Sequence, residues 1–564
     1  MNRTIKFKII NKNDIFKTTI AINNLAHTNL LQLLQTNSIP ITPLCQGNGT
    51  CGKCKVKFVN VAAPITNYDL NLLSQAELTD GVRLACKCNL NDLYKTILEK
   101  DLIKKELIIE TMDYTEENIA VENIKYNSNA NTILENATHT SVFSKNYFLA
   151  IDIGTTTIAM ALVDSQTGEV CNTYSSLNHQ RKYGADVISR ILASTSGKQE
   201  ELKQLIESDL VAGISEFGNI SISRIIIAGN TTMIHLLMGY SCEGLGKFPF
   251  ISEHLEQIEC SLSDCISTLP IQNTEFSSAY AINMATPVTI LPSISAFVGG
   301  DIVAGLMACD LFQTEELNLL IDLGTNGEMV LGNKQRVLVT STAAGPAFEG
   351  GNIVCGTASI PGSISMVKIQ NQRTILKTIQ NKMPPIGICG TGLLSVVTEL
   401  LKNKLIDRDG LLKPPYYHHG FPLWTFENGE KISLYQKDIR EFQMAKSAIR
   451  AGIDILLKEF PCTEAQIEHV YIAGGFGTNL SKTDALTTGL LPKELDEKII
   501  TIGNGCMAGL VKYGISLSNS KLNTNTISSS NNQNIQNLME RTKTIYLSEN
   551  NLFQELYLKY MNFD

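Results

Sequence analysis

Three cysteines in one short loop, with a fourth far downstream, are the first residues in this chain able to hold a redox centre. The stretch PLCQGNGTCGKCKVKF sets Cys45, Cys51 and Cys54 in the spacing C-x5-C-x2-C, and Cys86 follows after a long gap in RLACKC. An iron–sulfur cluster needs four thiolates converging on a small inorganic core, and a tight loop can supply three of them. Such a loop must wrap closely. Gly47, Gly49 and Gly52 allow that, because glycine accepts positive φ and close backbone approach. The loop is one residue longer than the plant-type C-x4-C-x2-C spacing. Four cysteines also suit zinc, but zinc ribbons carry two C-x2-C knuckles, and only one stands here. The residues favour a cluster over zinc or ligand-free thiols. Cys86 is the preferred fourth ligand, because it directly follows the apolar RLA, and Cys88 is its possible substitute.

A second chemistry sits in two similar turns. FLAIDIGTTTIAMAL carries Asp152, Gly154, Thr155, Thr156 and Thr157, and LLIDLGTNGEMVL carries Asp322, Gly324, Thr325, Asn326 and Gly327. A turn between two strands exposes successive N–H groups that can cradle phosphate oxygens. The threonine hydroxyls add donors, and an aspartate at a strand end can hold a hydrated Mg2+. One such turn is a weak signal. Two of them, followed by the glycine pair Gly474–Gly475 in YIAGGFGTNL, form an ordered set. The echo itself suggests two similar lobes facing one cleft. Asp301, in SISAFVGGDIVAG, can orient a water toward a γ-phosphate or simply begin a helix. Asn230, in the turn Gly229–Thr232, can face the phosphates or cap its helix. Gly387, Gly390, Thr391 and Gly392 can touch nucleotide or mark a close helix–strand approach.

The elements that must position these residues follow from pattern. IKFKII and KTTIAI alternate as a hairpin, NLLQLLQTN has helical leucine spacing, and KVKFVNV reads as a strand. These place a first domain over residues 1–98. Residues 99–145 are Asn- and Glu-rich with weak strands such as ELIIET, and read as a linker or an abbreviated middle subdomain. From 146 to 564 strands and helices alternate, interrupted by a polar low-complexity segment at about 516–536 that is expected to be mobile. A tail of strand and helix is expected to dock back after it.

Composition limits the partners. The 564 residues carry a net charge of −8 with 43% hydrophobic and 18% charged residues. An acidic chain without a basic run argues against nucleic acid. The apolar stretch from Met284 to Phe312 contains Pro292, Asp301 and Asp310, so it reads as a buried core segment and not a membrane helix. The N-terminus shows no apolar signal region, and 14 cysteines without an export signal fit a reducing, cytoplasmic setting.

With these motifs in place, CQGNGTCGKCKVKF and RLAC resemble the β-grasp ferredoxins with the longer loop, as in adrenodoxin-like proteins. The ordered Asp-x-Gly-Thr loops and glycine pair resemble the actin-like ATPase superfamily of acetate and sugar kinases, Hsp70 and actin. Together with NHQRKYGADVISRI, AGPAFEGGNIVCG, AKSAIRAGIDILL and FQELYLKYMNF, they resemble over nearly the whole chain the reductive activators of corrinoid proteins. The resemblance implies a β-grasp domain with a [2Fe–2S] cluster and a two-lobed, ribonuclease H-like ATPase domain, α/β and α+β in class. It implies loops that clamp the phosphates of Mg-ATP, adenosine over Gly474–Gly475, and Asp301 as general base beside Asp152 and Asp322. It also implies a corrinoid protein of a methyltransferase system as electron acceptor, an external low-potential reductant and a possible homodimer. A small middle domain common in the family is expected to be shortened or missing between 99 and 145.

The implied reaction has a thermodynamic reason. Plant-type clusters lie near −400 mV, and a resting Co(II)/Co(I) couple is expected lower. Each 100 mV uphill costs about 2.3 kcal/mol per electron. ATP-driven binding and release of the partner would supply that difference. Two alternatives compete: a small-molecule kinase with a redox-sensing domain, and a nucleotide-switched electron carrier without turnover.

Overall fold

The computed structural model describes residues 4–11, 14–21, 29–37, 54–73, 75–99, 106–111, 146–184, 186–218, 220–267, 283–311, 313–371, 373–381, 383–427, 429–520 and 528–563. By contact the chain divides into one unit of Met1–Glu117 with His179–Ala193 and a second of Asn118–Asn178 with Ser194–Asp564.

In the first unit, β1 (Thr4–Asn11) and β2 (Asp14–Ala21) form the antiparallel hairpin that the alternation predicts. The helix α1 (Leu30–Thr36) follows, then β3 (Lys55–Phe58), β4 (Val82–Leu84) and β5 (Leu107–Thr111). The sheet order is β2-β1-β5-β3-β4, the β-grasp arrangement. Phe7, Ile9, Leu30, Leu34, Val56, Leu84 and Ile109 are fully buried in its core. The central strand β5 runs parallel to β1 and antiparallel to β3. It lies beyond the boundary at 98 drawn from the sequence. The weak strand ELIIET thus completes the first sheet and is no linker element. The rest of the interval 99–145, apart from residue 99 and residues 106–111, lies outside the described residues.

The second unit contains two six-stranded sheets. One comprises β6 (Tyr147–Ile153), β7 (Thr157–Asp164), β8 (Val170–Leu177), β9 (Ile222–Gly229), β10 (Ile258–Ser261) and β11 (Pro287–Ile290). The other comprises β12 (Leu317–Leu323), β13 (Gly327–Gly332), β14 (Val337–Thr342), β15 (Ile467–Ala473), β16 (Ile499–Gly503) and β17 (Thr542–Thr544). Both are built alike. An antiparallel meander (β6-β7-β8; β12-β13-β14) is extended by two parallel strands (β9, β11; β15, β16). The first lobe adds β10, antiparallel to β11, and the second adds β17, parallel to β14. The first strand of each meander reads as a nearly continuous apolar run because both faces are covered.

Three further helices place the site. These are α2 (Thr231–Met238) after β9, α3 (Gly300–Ala308) after β11 and α4 (Gly505–Ser520) after β16. The last two pack on each other, and their residues share one core with both sheets: Phe148, Ala228, Ile302 and Leu306 meet Leu320, Val330, Ala473 and Leu510. The approach is close enough to demand glycine. A Cβ on Gly509 would lie 1.8 Å from the Ala304 carbonyl oxygen, and one on Gly514 would lie 2.2 Å from the Phe148 ring. The apolar Met284–Phe312 stretch holds β11 and α3, and no helix among the described residues is long and apolar enough to cross a membrane. The polar segment at 516–536 contains the end of α4 and most of a helix at Ser528–Arg541, where mobility was expected; residues 521–527 lie outside the described residues. The tail docks as β17 and the helix Phe553–Lys559, as its periodicity predicts.

Candidate active site

Strand register builds the cleft. Asp152 ends β6 beside Ala228 of β9, so the turn at Gly229–Asn230 lies next to it. Asp322 ends β12 beside Ala473 of β15, so Gly474 takes the matching place in the second lobe. The same strand pair therefore delivers an aspartate and a turn from each lobe.

The first loop is tight. The Gly154 N–H donates to the Thr157 carbonyl at 2.9 Å, and a Cβ at Gly154 would sit 2.7 Å from that oxygen. Asn178 pins the loop from behind: its N–H bonds the Thr156 carbonyl and its Nδ2 bonds the Gly154 carbonyl, both at 2.9 Å. Asn230 caps its helix, one of the two readings the sequence left open, and also bonds the first loop. Its Oδ1 accepts from the Met233 N–H at 3.0 Å as the cap of α2, and its Nδ2 donates to Thr155 Oγ1 at 2.9 Å. In the second loop the Gly324 N–H donates to the Asn326 carbonyl at 3.0 Å, and Thr325 Oγ1 donates to Glu349 at 2.8 Å. Gly474 has φ +90°, and a Cβ there would lie 2.7 Å from Asp322 Oδ1. Gly475 has open space around its missing Cβ, which suits a flat group laid over the turn.

Asp301 lies in the first turn of α3. Gly299, and not Asp301, occupies the N-cap position, and Asp301 Oδ1 accepts from the Ile302 N–H at 2.8 Å. Gly299 is itself required: its Cβ would lie 2.4 Å from the Asn230 Cα. The Asp301 turn is thereby seated directly on the Asn230 turn. The second glycine run resolves differently. A Cβ on Gly390 or Gly392 would lie 1.9 Å from the carbonyl oxygen of Phe348 or Ile364 respectively. Gly390 marks a close approach of its helix to the turn Pro346–Glu349, and Gly392 a close approach of helix to strand. Gly387 likewise abuts the Cys355 carbonyl and Thr357.

Carboxyl groups crowd this cleft. Burial, followed by the Asp152 and Asp322 charges, pushes Asp301 up to about 7. Burial and then the Asp152 charge push Asp322 up to about 7. Burial also raises Asp152, while its bonds to Asn504 and Cys506 oppose the rise. Glu328, the cross-strand neighbour of Asp322, is held well above the usual carboxylate range by burial, then by Asp301 and Asp322. Burial first, and neighbouring charge second, thus hold these carboxyl groups toward their neutral forms. No three His, Cys, Asp or Glu side chains among the described residues converge on one metal position.

Sequence reasoning missed Asn178, Glu328, Glu349, Asn504 and Cys506. Asn504 Nδ2 donates to Asp152 Oδ2 at 2.9 Å and its Oδ1 accepts from the Met507 N–H at 2.7 Å. It thus joins a first-lobe aspartate to the start of a helix that follows the second-lobe sheet. Glu328 had a usable signal, since it follows the second loop directly in GTNGE. Asn504 had only a helix-capping signal.

In the first unit, the Ala85 N–H bonds the Cys54 carbonyl at 2.8 Å, which brings Cys54 and Cys86 to adjoining backbone positions. Asp69 steadies this end of β4: its Oδ1 accepts from the Leu84 N–H at 2.8 Å while its Oδ2 serves a capping box with Thr66. Cys54, Cys86 and Cys88 are buried and none is in a disulfide. Two neighbouring, buried cysteines fit half of a thiolate ligand set. Cys45 and Cys51, with Gly47, Gly49 and Gly52, lie outside the described residues.

Comparison with known proteins adds three family matches in chain order. Residues 14–91 match the 2Fe-2S iron-sulfur cluster binding domain, 147–314 the RACo middle region, and 316–564 the C-terminal domain of RACo, the ASKHA domain. The middle-region match falls on the first lobe and not on the interval 99–145, where a shortened middle domain was expected. The chain is 29% identical to the corrinoid activation enzyme RamQ of Eubacterium limosum, over 85% of this chain and 88% of that protein. It is 26% identical to a [Co(II) methylated amine-specific corrinoid protein] reductase of Methanosarcina barkeri, over 64% of this chain and 68% of that one. Among solved structures, a reductive activator for corrinoid, iron-sulfur protein aligns with TM-score 0.63 and 26% identity, covering 99% of this chain and 98% of that one.

Proposed function

The chain belongs to the RACo family of corrinoid activators, an iron–sulfur domain joined to an ASKHA ATPase domain, and from that premise we propose that it is an ATP-dependent reductive activator. It passes one electron to a corrinoid protein that has slipped to Co(II) and restores Co(I). The observation that carries this reading is the presence in one chain of a buried cysteine pair on a β-grasp sheet and a two-lobed cleft lined by Asp152, Asp301 and Asp322.

Cys45, Cys51, Cys54 and Cys86 would hold a [2Fe–2S] cluster, which when bound supplies one electron at low potential. An external low-potential donor refills it. In the cleft, Gly154–Thr157 and Gly324–Gly327 receive the phosphates of Mg-ATP through backbone N–H and hydroxyl donors. Asp152 and Asp322 would hold a hydrated Mg2+, which when bound would neutralise phosphate charge. Asp301 takes a proton from the attacking water. Gly474 and Gly475 give adenosine a flat floor. The crowded carboxyl groups Asp152, Asp301 and Asp322 would ionise more readily beside a bound cation, so nucleotide would favour closure of the lobes. Hydrolysis removes that preference and releases the partner. The acceptor is a corrinoid protein of a methyltransferase system, the setting is the cytoplasm, and the family reading implies a homodimer.

Anaerobically purified protein tests this directly. Iron with an EPR-active reduced cluster, together with ATPase activity that rises on adding Co(II) corrinoid protein, is the expected result. Bound zinc in place of iron, or a phosphorylated small molecule as the product of ATP turnover, would overturn it.

A further inference from the structure

Nine of the 14 cysteines lie beyond the first hundred residues, and their scatter predicts small buried hydrophobes. Two of them meet. Cys260 stands on the edge strand β10, and Cys265 closes the one-turn helix Leu262–Cys265 that follows it. Their Sγ atoms are 3.5 Å apart, and neither is in a disulfide.

The turn between them is firmly built. The Ser261 N–H and Oγ both donate to Asp264 Oδ2, at 2.8 and 2.6 Å. The Leu262 N–H bonds the Thr286 carbonyl at 3.0 Å, and the Ser263 N–H bonds the Met284 carbonyl at 3.0 Å. Strand register fixes Cys260 opposite Val288. The approach of the two sulfurs is therefore a property of the fold at this corner. A disulfide needs its sulfurs at about 2.05 Å, and rotation about the two Cα–Cβ bonds is the motion available to close the gap.

The two thiols are unequal. Cys260 is partly exposed, whereas Cys265 is fully buried. A dissolved reagent meets Cys260 first, and Cys265 is placed to meet only Cys260. The electrostatics run the same way. The bond from Cys265 lowers the Cys260 pKa against the opposing effects of burial, Asp264 and Glu259, while Cys265 is raised by that bond and by burial. Cys260 is then the attacking thiolate and Cys265 the resolving thiol.

We propose that Cys260 and Cys265 form a reversible dithiol–disulfide couple, a modification site that reacts with low-molecular-weight disulfides. The Cys260 thiolate attacks one sulfur of the small disulfide, forming a mixed disulfide and expelling one small thiolate. The Cys265 sulfur, giving up its proton, then attacks the Cys260 sulfur and expels the second. The protein loses two electrons and two protons, and the small disulfide leaves as two thiols. Reversible disulfides in reducing compartments are usually catalytic or redox-sensing. The couple sits behind α2, whose cap Asn230 bonds Thr155 of the first phosphate loop.

The test equilibrates the anaerobic full-length protein with glutathione at a series of oxidised-to-reduced ratios. Acid quenching, alkylation of remaining thiols and peptide mass spectrometry follow. The expected result is that Cys260 and Cys265 lose their alkyl labels together, that their peptide is lighter by two hydrogens, and that excess reduced glutathione reverses the change. Cys265→Ser should trap one glutathione on Cys260. Labelling of both thiols in the wild-type chain at every ratio would overturn the proposal, and so would a wild-type glutathione adduct at Cys260 that never resolves. Because the readout is assigned to one peptide, damage at the iron–sulfur cysteines does not mimic it.

Discussion

At the scale of single residues, the account rests on carboxylates that share a confined space. Asp301→Asn keeps the size of the side chain and removes the proposed base. Partner-stimulated ATP hydrolysis should fall by about 10²–10⁴-fold, with nucleotide binding retained, as measured by phosphate release beside a binding titration. The same crowding predicts a pH dependence of stability. Asp301 and Asp322 are held near 7 in the folded chain and return to about 3.9 when unfolded. Between those values the folded state binds more protons, so their contribution to stability falls as pH rises through that window. Nucleotide-free Asp301→Asn should therefore lose less Tm than the wild-type chain between about pH 5 and 8 in calorimetry. Equal slopes would show that Asp301 is not held there. Asp152, Asp301 and Asp322 were legible in the sequence because each sits in a short glycine-bearing turn of recognisable type. Asn504 was not, because its partner Asp152 is far away in the chain and the two meet only when α4 packs across the lobes.

At the scale of elements, the contact between α3 and α4 is the most demanding feature of the ATPase unit. Gly509→Val would drive a side chain into the Ala304 carbonyl, 1.8 Å from where a Cβ would stand. Overpacking of this kind costs about 1–3 kcal/mol; a lowered Tm should come with weakened coupling between nucleotide and partner. In the first unit, β5 is the central strand although it lies beyond the boundary at 98 drawn from the sequence. Ile109 on β5 is fully buried, and Ile109→Asp would place an unpaired charge in that core. Iron content should collapse in the variant, while nucleotide binding by the second unit persists. The hairpin β1–β2 and helix α1 were legible because their signals are local. The place of β5 was not, since strand order depends on pairings with β1 and β3, which no local pattern records.

At the scale of the whole molecule, duplication explains the cleft. Two sheets that share a five-strand order, each with one further edge strand, bring two aspartates to matching strand ends. The repeat of FLAIDIGTTT in LLIDLGTNG announced this in sequence, and the two turns fall in successive family matches, 147–314 and 316–564. What the sequence could not convey is the link between the lobes, in which Asn504 bridges Asp152 to the start of α4. An activator of this design must couple an electron source to a nucleotide engine. The most direct measurement is the visible absorbance of Co(I) when the reduced protein is mixed anaerobically with Co(II) corrinoid protein, with and without Mg-ATP. The account predicts full conversion to Co(I) with Mg-ATP and only a small fraction without it. Equal conversion in both cuvettes, or none in either, would contradict it.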